Sequence, residues 1–173
     1  MLSIAVVGAF GKMGAISCQT LESHPEFNLV AQLGRGDSVQ AALTQHQPDV
    51  LLDFTLPDCV YGHAATAIGL GVRPVVGASG LTVDQIERLR QLCEAKALGA
   101  MVVPNFSVGA ILMMHFSQQA AHYLSDMDIV ELHHDKKVDA PSGTARKTAE
   151  VLSPERNAAS VNQGAFEYCG VPI

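Results

Sequence analysis

A chain of 173 residues that is 48% hydrophobic and 16% charged can bury a substantial core, as one large domain or as one domain and part of a second, and is not of the disordered class. Its formal net charge of -6 excludes a general nucleic-acid or anionic-membrane surface, while leaving room for a local basic pocket that takes small anions. Cys18, Cys59, Cys93 and Cys169 form no Cys-x-x-Cys pair, no basic leader precedes the first apolar run, and no run reaches membrane-spanning length, a combination that predicts a protein of the reducing cytoplasm.

Residues 2–7, LSIAVV, read as a buried strand. Gly8, Gly11 and Gly14 follow in GAFGKMG, directly before a helix candidate over 11–23. Glycines let a backbone turn sharply and approach a pyrophosphate closely, and a helix N-terminus offers it free N–H groups and a positive dipole end. The spacing is Gly-x-x-Gly-x-x-Gly and not the usual Gly-x-Gly-x-x-Gly, so a purely structural tight turn is the alternative.

A second strand over 29–33 leads into Gly34-Arg35-Gly36-Asp37. At this point of a dinucleotide site an acid accepts from the adenosine ribose, or an arginine meets a 2′-phosphate. No carboxylate directly follows the strand, but Arg35 does, and Lys12 lies in the glycine loop. NADPH is therefore expected to be accepted at least as well as NADH, with Arg35 as a merely solvated loop charge the alternative.

Helix candidates at 39–45, 59–69 and 83–98 then alternate with short apolar runs at 50–54, 74–76 and 100–103. Ile86, Leu89, Leu92 and Cys93 recur at helical spacing after a candidate cap, Thr82. This alternation predicts a parallel sheet covered on both faces, whose carboxyl ends would carry Asp53-Phe54-Thr55 and Gly77-Ala78-Ser79-Gly80 toward a ligand.

After Pro104 the pattern changes. A helix over 108–124, a strand-like DMDIVELHH over 126–134, a polar loop and a second helix starting near Ser142 predict an α+β domain; residues 154–173 show no clear periodicity. The turn chemistry of Pro104 and Asn105 puts the division at 1–104 and 105–173.

Residues 131–145, ELHHDKKVDAPSGTA, concentrate charge in a chain that is otherwise sparing with it. His133 or His134 offers a proton donor, Lys136 or Lys137 a positive charge, and Ser142, Gly143 and Thr144 a helix start able to hold a carboxylate. The two histidines face opposite ways unless the strand ends there. A metal site with Asp139, or a solvated loop with an ordinary serine cap, accounts for the same residues.

This block, with the opening VVGAFGKMG and NFSVG at 105–109, resembles the 4-hydroxy-tetrahydrodipicolinate reductase family, also called dihydrodipicolinate reductase, over residues 1–152. The resemblance implies a Rossmann-like dinucleotide-binding domain followed by a substrate domain, and an oxidoreductase of lysine (diaminopimelate) biosynthesis. Such an enzyme uses NADPH or NADH on a small dicarboxylate, is not expected to need a metal, and assembles as a homotetramer. It further implies His133 as proton donor with Lys137 as its partner, and His134, Ser142, Gly143 and Thr144 on the substrate carboxylates. Gly8, Gly11, Lys12, Met13 and Gly14 would form the dinucleotide loop, with Arg35 at the ribose. Phe54, Gly77, Ser79, Val103, Asn105 and Phe106 would lie along the nicotinamide and the hinge.

The chain departs from the family at Gly34, where an acid is usual, and at Gly77-Ala78-Ser79-Gly80-Leu81, where Gly-Thr-Thr-Gly and an aromatic are usual. It also ends where family chains continue with further strands and a helix, so the second domain is expected to be incomplete. A cofactor-binding remnant without turnover is the alternative function, and a dehydrogenase for another small acid a third.

Overall fold

The computed structural model describes residues 1–78, 80–103, 105–124, 126–133 and 141–153, and the backbone of 167–168 and 171–172. The chain divides into two compact units, Met1–Val103 and Pro104–Ile173.

In the first unit five parallel strands alternate with helices: β1 (Leu2–Val7), α1 (Lys12–Ser23), β2 (Phe27–Leu33), α2 (Val39–His46), β3 (Val50–Asp53), α3 (Pro57–Gly69), β4 (Arg73–Val76), α4 (Val83–Lys96) and β5 (Met101–Val102). The strand order is β2-β1-β3-β4-β5, all pairs parallel. This is the Rossmann-like α/β architecture that strand-helix alternation predicts.

The two-residue period of β1 divides the core. Ile4 and Val6 join Cys18 and Leu21 of α1 on one face, whereas Ala5 and Val7 join Leu33, Val39, Leu43 and Leu51 on the other. A third cluster packs Val60, Ala64 and Ile68 of α3 against Val76, Leu89 and Cys93. Both faces of the sheet are thus covered, and each fully buried Val, Leu or Ile contributes about 1.5–3 kcal/mol. At the amino ends of β1 and β3 a polar clip closes the sheet: Ser3 donates to Asp49 Oδ2 through its N–H (2.8 Å) and its hydroxyl (2.6 Å). The opposite, carboxyl ends are left for a ligand.

Local chemistry sets the helix starts. Thr82 accepts from Gln85 N while the Gln85 side chain accepts from Thr82 N, a capping box that fixes α4. β5 is shorter than the apolar run at 100–103 because it is a sheet edge, paired on one side only and with Met101 and Val102 exposed.

The second unit contains α5 (Val108–Ala121), α6 (Gly143–Leu152) and a short antiparallel pair, β6 (Glu167–Tyr168) and β7 (Val171–Pro172). Ser107 caps α5 and Ser142 caps α6. Two-residue strands are too short for alternation to reveal, which is why β6 and β7 escape sequence reading.

The strand expected over 126–134 is a correction. Residues 127–133 carry no strand pairing. Met127 and Ile129 pack on Ala121, Ala149 and Leu152, which satisfies the apolar alternation, but Val130 and Leu132 stay 83% and 91% exposed. Alternation reports a face that is buried; a strand also needs a hydrogen-bonded neighbour, and the described residues provide none here.

Candidate functional site

The glycine loop is dictated by close approach. Gly8, at φ +79°, has no room for a side chain, since a Cβ there would lie 2.7 Å from Phe54 O. A Cβ on Gly14 would lie 2.0 Å from Gly8 O, so α1 can leave the loop at this angle only from a glycine. Gly8 N and Ala9 N both donate to Leu33 O, and Gly11 N donates to Gly8 O at 3.1 Å, which ties the loop to the end of β2.

Gly11 is the N-cap of α1 and offers no side-chain acceptor, and the first turn has no acidic residue. The leading N–H groups are left for an external anion. Lys12 and Met13 open this turn, both exposed.

Beside the loop lies a cavity of about 380 Å³ at the carboxyl ends of the strands. Gly8, Gly11, Arg35 and Phe54, all expected at the cofactor, line it together. Thr55, expected at a strand end facing the ligand, lines it too, as do Phe10, Asp37 and His63, to which the sequence reading had given no role. A larger groove of about 480 Å³ between α4 and β5 is mostly apolar and lies away from the glycine loop.

Under the cavity floor sits a buried carboxylate. Asp53 is 1% exposed, and its Oδ1 accepts from Thr55 N (2.7 Å) and Thr55 Oγ1 (2.6 Å). His63 Nδ1 stands 3.0 Å from Asp53 Oδ2. A carboxylate only accepts, so in a hydrogen bond between them Nδ1 is the donor. The cluster pins the β3–α3 loop, which must hold still because its Phe54 carbonyl packs on Gly8. Sequence reading found Asp53 and Thr55 but missed His63, whose only signal is a histidine in the second turn of the helix that follows them.

Of the other expected cofactor residues, Gly77 follows β4 and donates to Asp53 O at 2.8 Å, and Val103 follows β5 and donates to Val76 O at 2.8 Å. Neither lines the cavity. Ser79 lies outside the described residues.

In the second unit, the start of α6 is built by three neighbours. Ser142 Oγ accepts from Ala145 N at 3.0 Å, and Ser142 N donates to both Glu131 carboxylate oxygens at 3.0 and 3.2 Å. Asn105 Nδ2 donates to Thr144 Oγ1 at 3.1 Å while Asn105 Oδ1 accepts from Ser107 N, so one side chain ties the starts of α5 and α6 together. Thr144 lies inside α6, and Ser142 is its N-cap. The N–H groups of Gly143 and Thr144 have no recorded partner among the described residues. Phe106 and His133 are exposed. His134, Lys136, Lys137 and Asp139 lie outside the described residues. Among the described residues no group of His, Cys, Asp or Glu is placed to hold a metal ion.

What the first unit can do is bind a dinucleotide. Glycines that admit no Cβ, an uncapped helix start and a cavity at the strand ends all fit a pyrophosphate and its two nucleosides.

Comparison with known proteins agrees. The chain is 48% identical to a 4-hydroxy-tetrahydrodipicolinate reductase of Legionella pneumophila over 153 residues, 88% of this chain and 63% of the relative. It is 43% identical to the reductase of the same name from Coxiella burnetii, covering 90% of this chain and 65% of the relative. The chain thus spans less than two thirds of the length of these curated relatives. A dipicolinate-bound dihydrodipicolinate reductase from Paenisporosarcina sp. TG-14 superposes with a TM-score of 0.80 at 32% identity, over 99% of this chain and 77% of that one. A scyllo-inositol dehydrogenase from Lactobacillus casei, at 14% identity and a TM-score of 0.55, covers 69% of this chain and 42% of its own and shares the fold alone. The sequence profile described as "Dihydrodipicolinate reductase, N-terminus" matches residues 2–106 and that described as "Dihydrodipicolinate reductase, C-terminus" matches residues 109–169. By these matches the chain belongs to the dihydrodipicolinate reductase family.

Proposed function

We propose that this chain reduces 4-hydroxy-tetrahydrodipicolinate to tetrahydrodipicolinate with NAD(P)H, in the lysine (diaminopimelate) pathway. The observation that carries the proposal is the loop at Gly8, Gly11 and Gly14, which admits no side chain at its first and last glycines and leaves the start of α1 uncapped beside the cavity. The names of the relatives and the dipicolinate in the Paenisporosarcina enzyme support the substrate class, a small cyclic dicarboxylate.

The nicotinamide supplies a hydride when bound. The protein's share is to bind, orient and protonate. Gly8, Gly11, Lys12, Met13 and Gly14 hold the pyrophosphate. Phe54, Gly77, Ser79, Val103, Asn105 and Phe106 serve the nicotinamide side, and the Asp53, Thr55 and His63 cluster keeps the loop bearing Phe54 in place. The N–H groups at Gly143 and Thr144, with Ser142 and His134, hold the substrate carboxylates. Lys137 anchors and polarises the substrate, and His133 donates the proton. The division into a cofactor domain, 1–104, and a substrate domain, 105–173, is part of this reading, with Asn105 and Phe106 at the hinge between them.

At the adenosine end Arg35, exposed on the cavity wall, supports NADPH binding at least as well as NADH. A much lower KM for NADH, unchanged in Arg35→Ala, would remove that statement. A cytoplasmic homotetramer belongs to the same reading. No helix of the described residues is long and apolar enough to cross a membrane.

The test of the roles is kinetic. The pH dependence of turnover is measured for wild type and His133→Gln; wild-type turnover with an unchanged acid limb would eliminate His133 as the donor. Cofactor binding without turnover in the wild-type chain would select a binding module of the same family over an enzyme.

A further inference from the structure

The turn after β2 carries two opposite charges, and its geometry assigns them different work. Gly34 N donates to Asp37 Oδ2 at 2.7 Å, and Asp37 N reaches back to Gly34 O at 3.4 Å. Gly36, at φ +96°, occupies the third position of this four-residue turn, where a type II turn demands a positive φ. The chain therefore folds back so that the Asp37 carboxylate returns to the end of β2, the place where a dinucleotide site carries its ribose-binding acid.

Phe10 occupies the same spot. Its ring is 73% exposed, yet it lies so close over Gly34 that a Cβ there would meet Phe10 Cδ2 at 2.7 Å and Cε2 at 2.9 Å. The same Cβ would stand 3.7 Å from Asp37 Oδ2, so ring, backbone and carboxylate converge on one point of the cavity wall. An acidic side chain at position 34 would displace the ring. One supplied from Asp37 does not.

We propose that Asp37 is the residue that binds the adenosine ribose hydroxyls and so retains NADH, while Arg35 on the same turn serves the 2′-phosphate of NADPH. Asp37 lines the cavity and its Oδ2 accepts from Gly34 N, which leaves the carboxylate acceptor capacity for a ligand. A ribose diol donates to that carboxylate; a 2′-phosphate is repelled by it and attracted by Arg35. The two charges stand two positions apart on one turn, so NADPH meets one favourable and one unfavourable group, whereas NADH meets a favourable one. The proposal rests on the reading that this cavity takes a nicotinamide dinucleotide.

Asp37→Asn separates charge from structure. The asparagine oxygen still accepts from Gly34 N and preserves the turn, but the negative charge and one acceptor are gone. Calorimetric titrations with NADH and with NADPH are made on wild type, Asp37→Asn and Arg35→Ala, with circular dichroism to confirm folding. We expect Asp37→Asn to weaken NADH about tenfold, the worth of a hydrogen bond to a charged group, while NADPH is held or tightened. Arg35→Ala should do the reverse. Equal loss of both cofactors in Asp37→Asn, or no change in their ratio, overturns the assignment. Failure of wild type to bind either cofactor overturns the dinucleotide reading itself and the assignment with it.

Discussion

Replacing Asp53 by alanine tests whether the floor of the cavity is held by hydrogen bonds to one buried carboxylate. The substitution removes the acceptor for three donors: Thr55 N at 2.7 Å, Thr55 Oγ1 at 2.6 Å and His63 Nδ1 at 3.0 Å. The Thr55 hydroxyl can rotate and the His63 side chain, 24% exposed, can turn to water, so the Thr55 amide is the donor most surely stranded. One stranded buried group costs about 1–3 kcal/mol, and the loss of charge-assisted bonds raises the total to about 2–4 kcal/mol. Asp53→Asn is the control. Its carbonyl oxygen still accepts from Thr55, and its amide faces a His63 that can move its proton to Nε2, so the loss should be less than half that of alanine. Urea unfolding followed by circular dichroism measures both variants, with cofactor titration beside it because Phe54 shares the loop. An alanine variant within about 0.5 kcal/mol of wild type, inside the range of neutral surface changes, would refute the reasoning, as would an asparagine variant as damaged as alanine.

Further substitutions probe other parts. Gly14→Ala places a methyl 2.0 Å from Gly8 O, against backbone that cannot yield, so dinucleotide affinity should fall at least tenfold by calorimetry, with about 1–3 kcal/mol of stability lost to overpacking. Ser142→Ala removes the α6 cap and should cost about 1 kcal/mol in thermal unfolding, with a rise in substrate KM where cofactor KM stays fixed. The Ser3 hydroxyl, with its N–H second, holds the Asp49 carboxyl below the usual aspartate range. A depressed folded value means stability that is present above the unfolded range and lost as pH falls through the folded one. The gap between wild type and Asp49→Asn in urea midpoint should therefore close as pH drops, and a gap constant with pH would contradict this.

Much of the fold is legible because its determinants are local. The apolar run of β1 divides by period two into Ile4 and Val6 on one face and Ala5 and Val7 on the other. Thr82 and Ser142 announce their helices through a cap chemistry that spans three residues. What escapes is set by neighbours that sequence does not supply. Met127 and Ile129 show the alternation of a strand and are half-buried on one side, yet no pairing partner arises among the described residues.

The site divides in the same way. The glycines were readable because pyrophosphate chemistry acts on consecutive backbone, and Gly8 and Gly14 prove sterically obligatory. Asp37 was visible in the sequence, but its return to the strand end was not: it does not directly follow the strand, and only the turn at Gly36 brings it back to Gly34 N. His63 reaches Asp53 across ten positions and Asn105 reaches Thr144 across thirty-nine, so both links depend on helices having docked first.

The central claim, that this chain binds a nicotinamide dinucleotide and passes its hydride to a cyclic dicarboxylate, is tested most directly by following NADPH absorbance with freshly generated 4-hydroxy-tetrahydrodipicolinate. The account predicts oxidation that depends on that substrate, falls sharply in His133→Gln and disappears in Gly14→Ala. Absence of oxidation by wild-type protein that binds NADPH under the same conditions would contradict it.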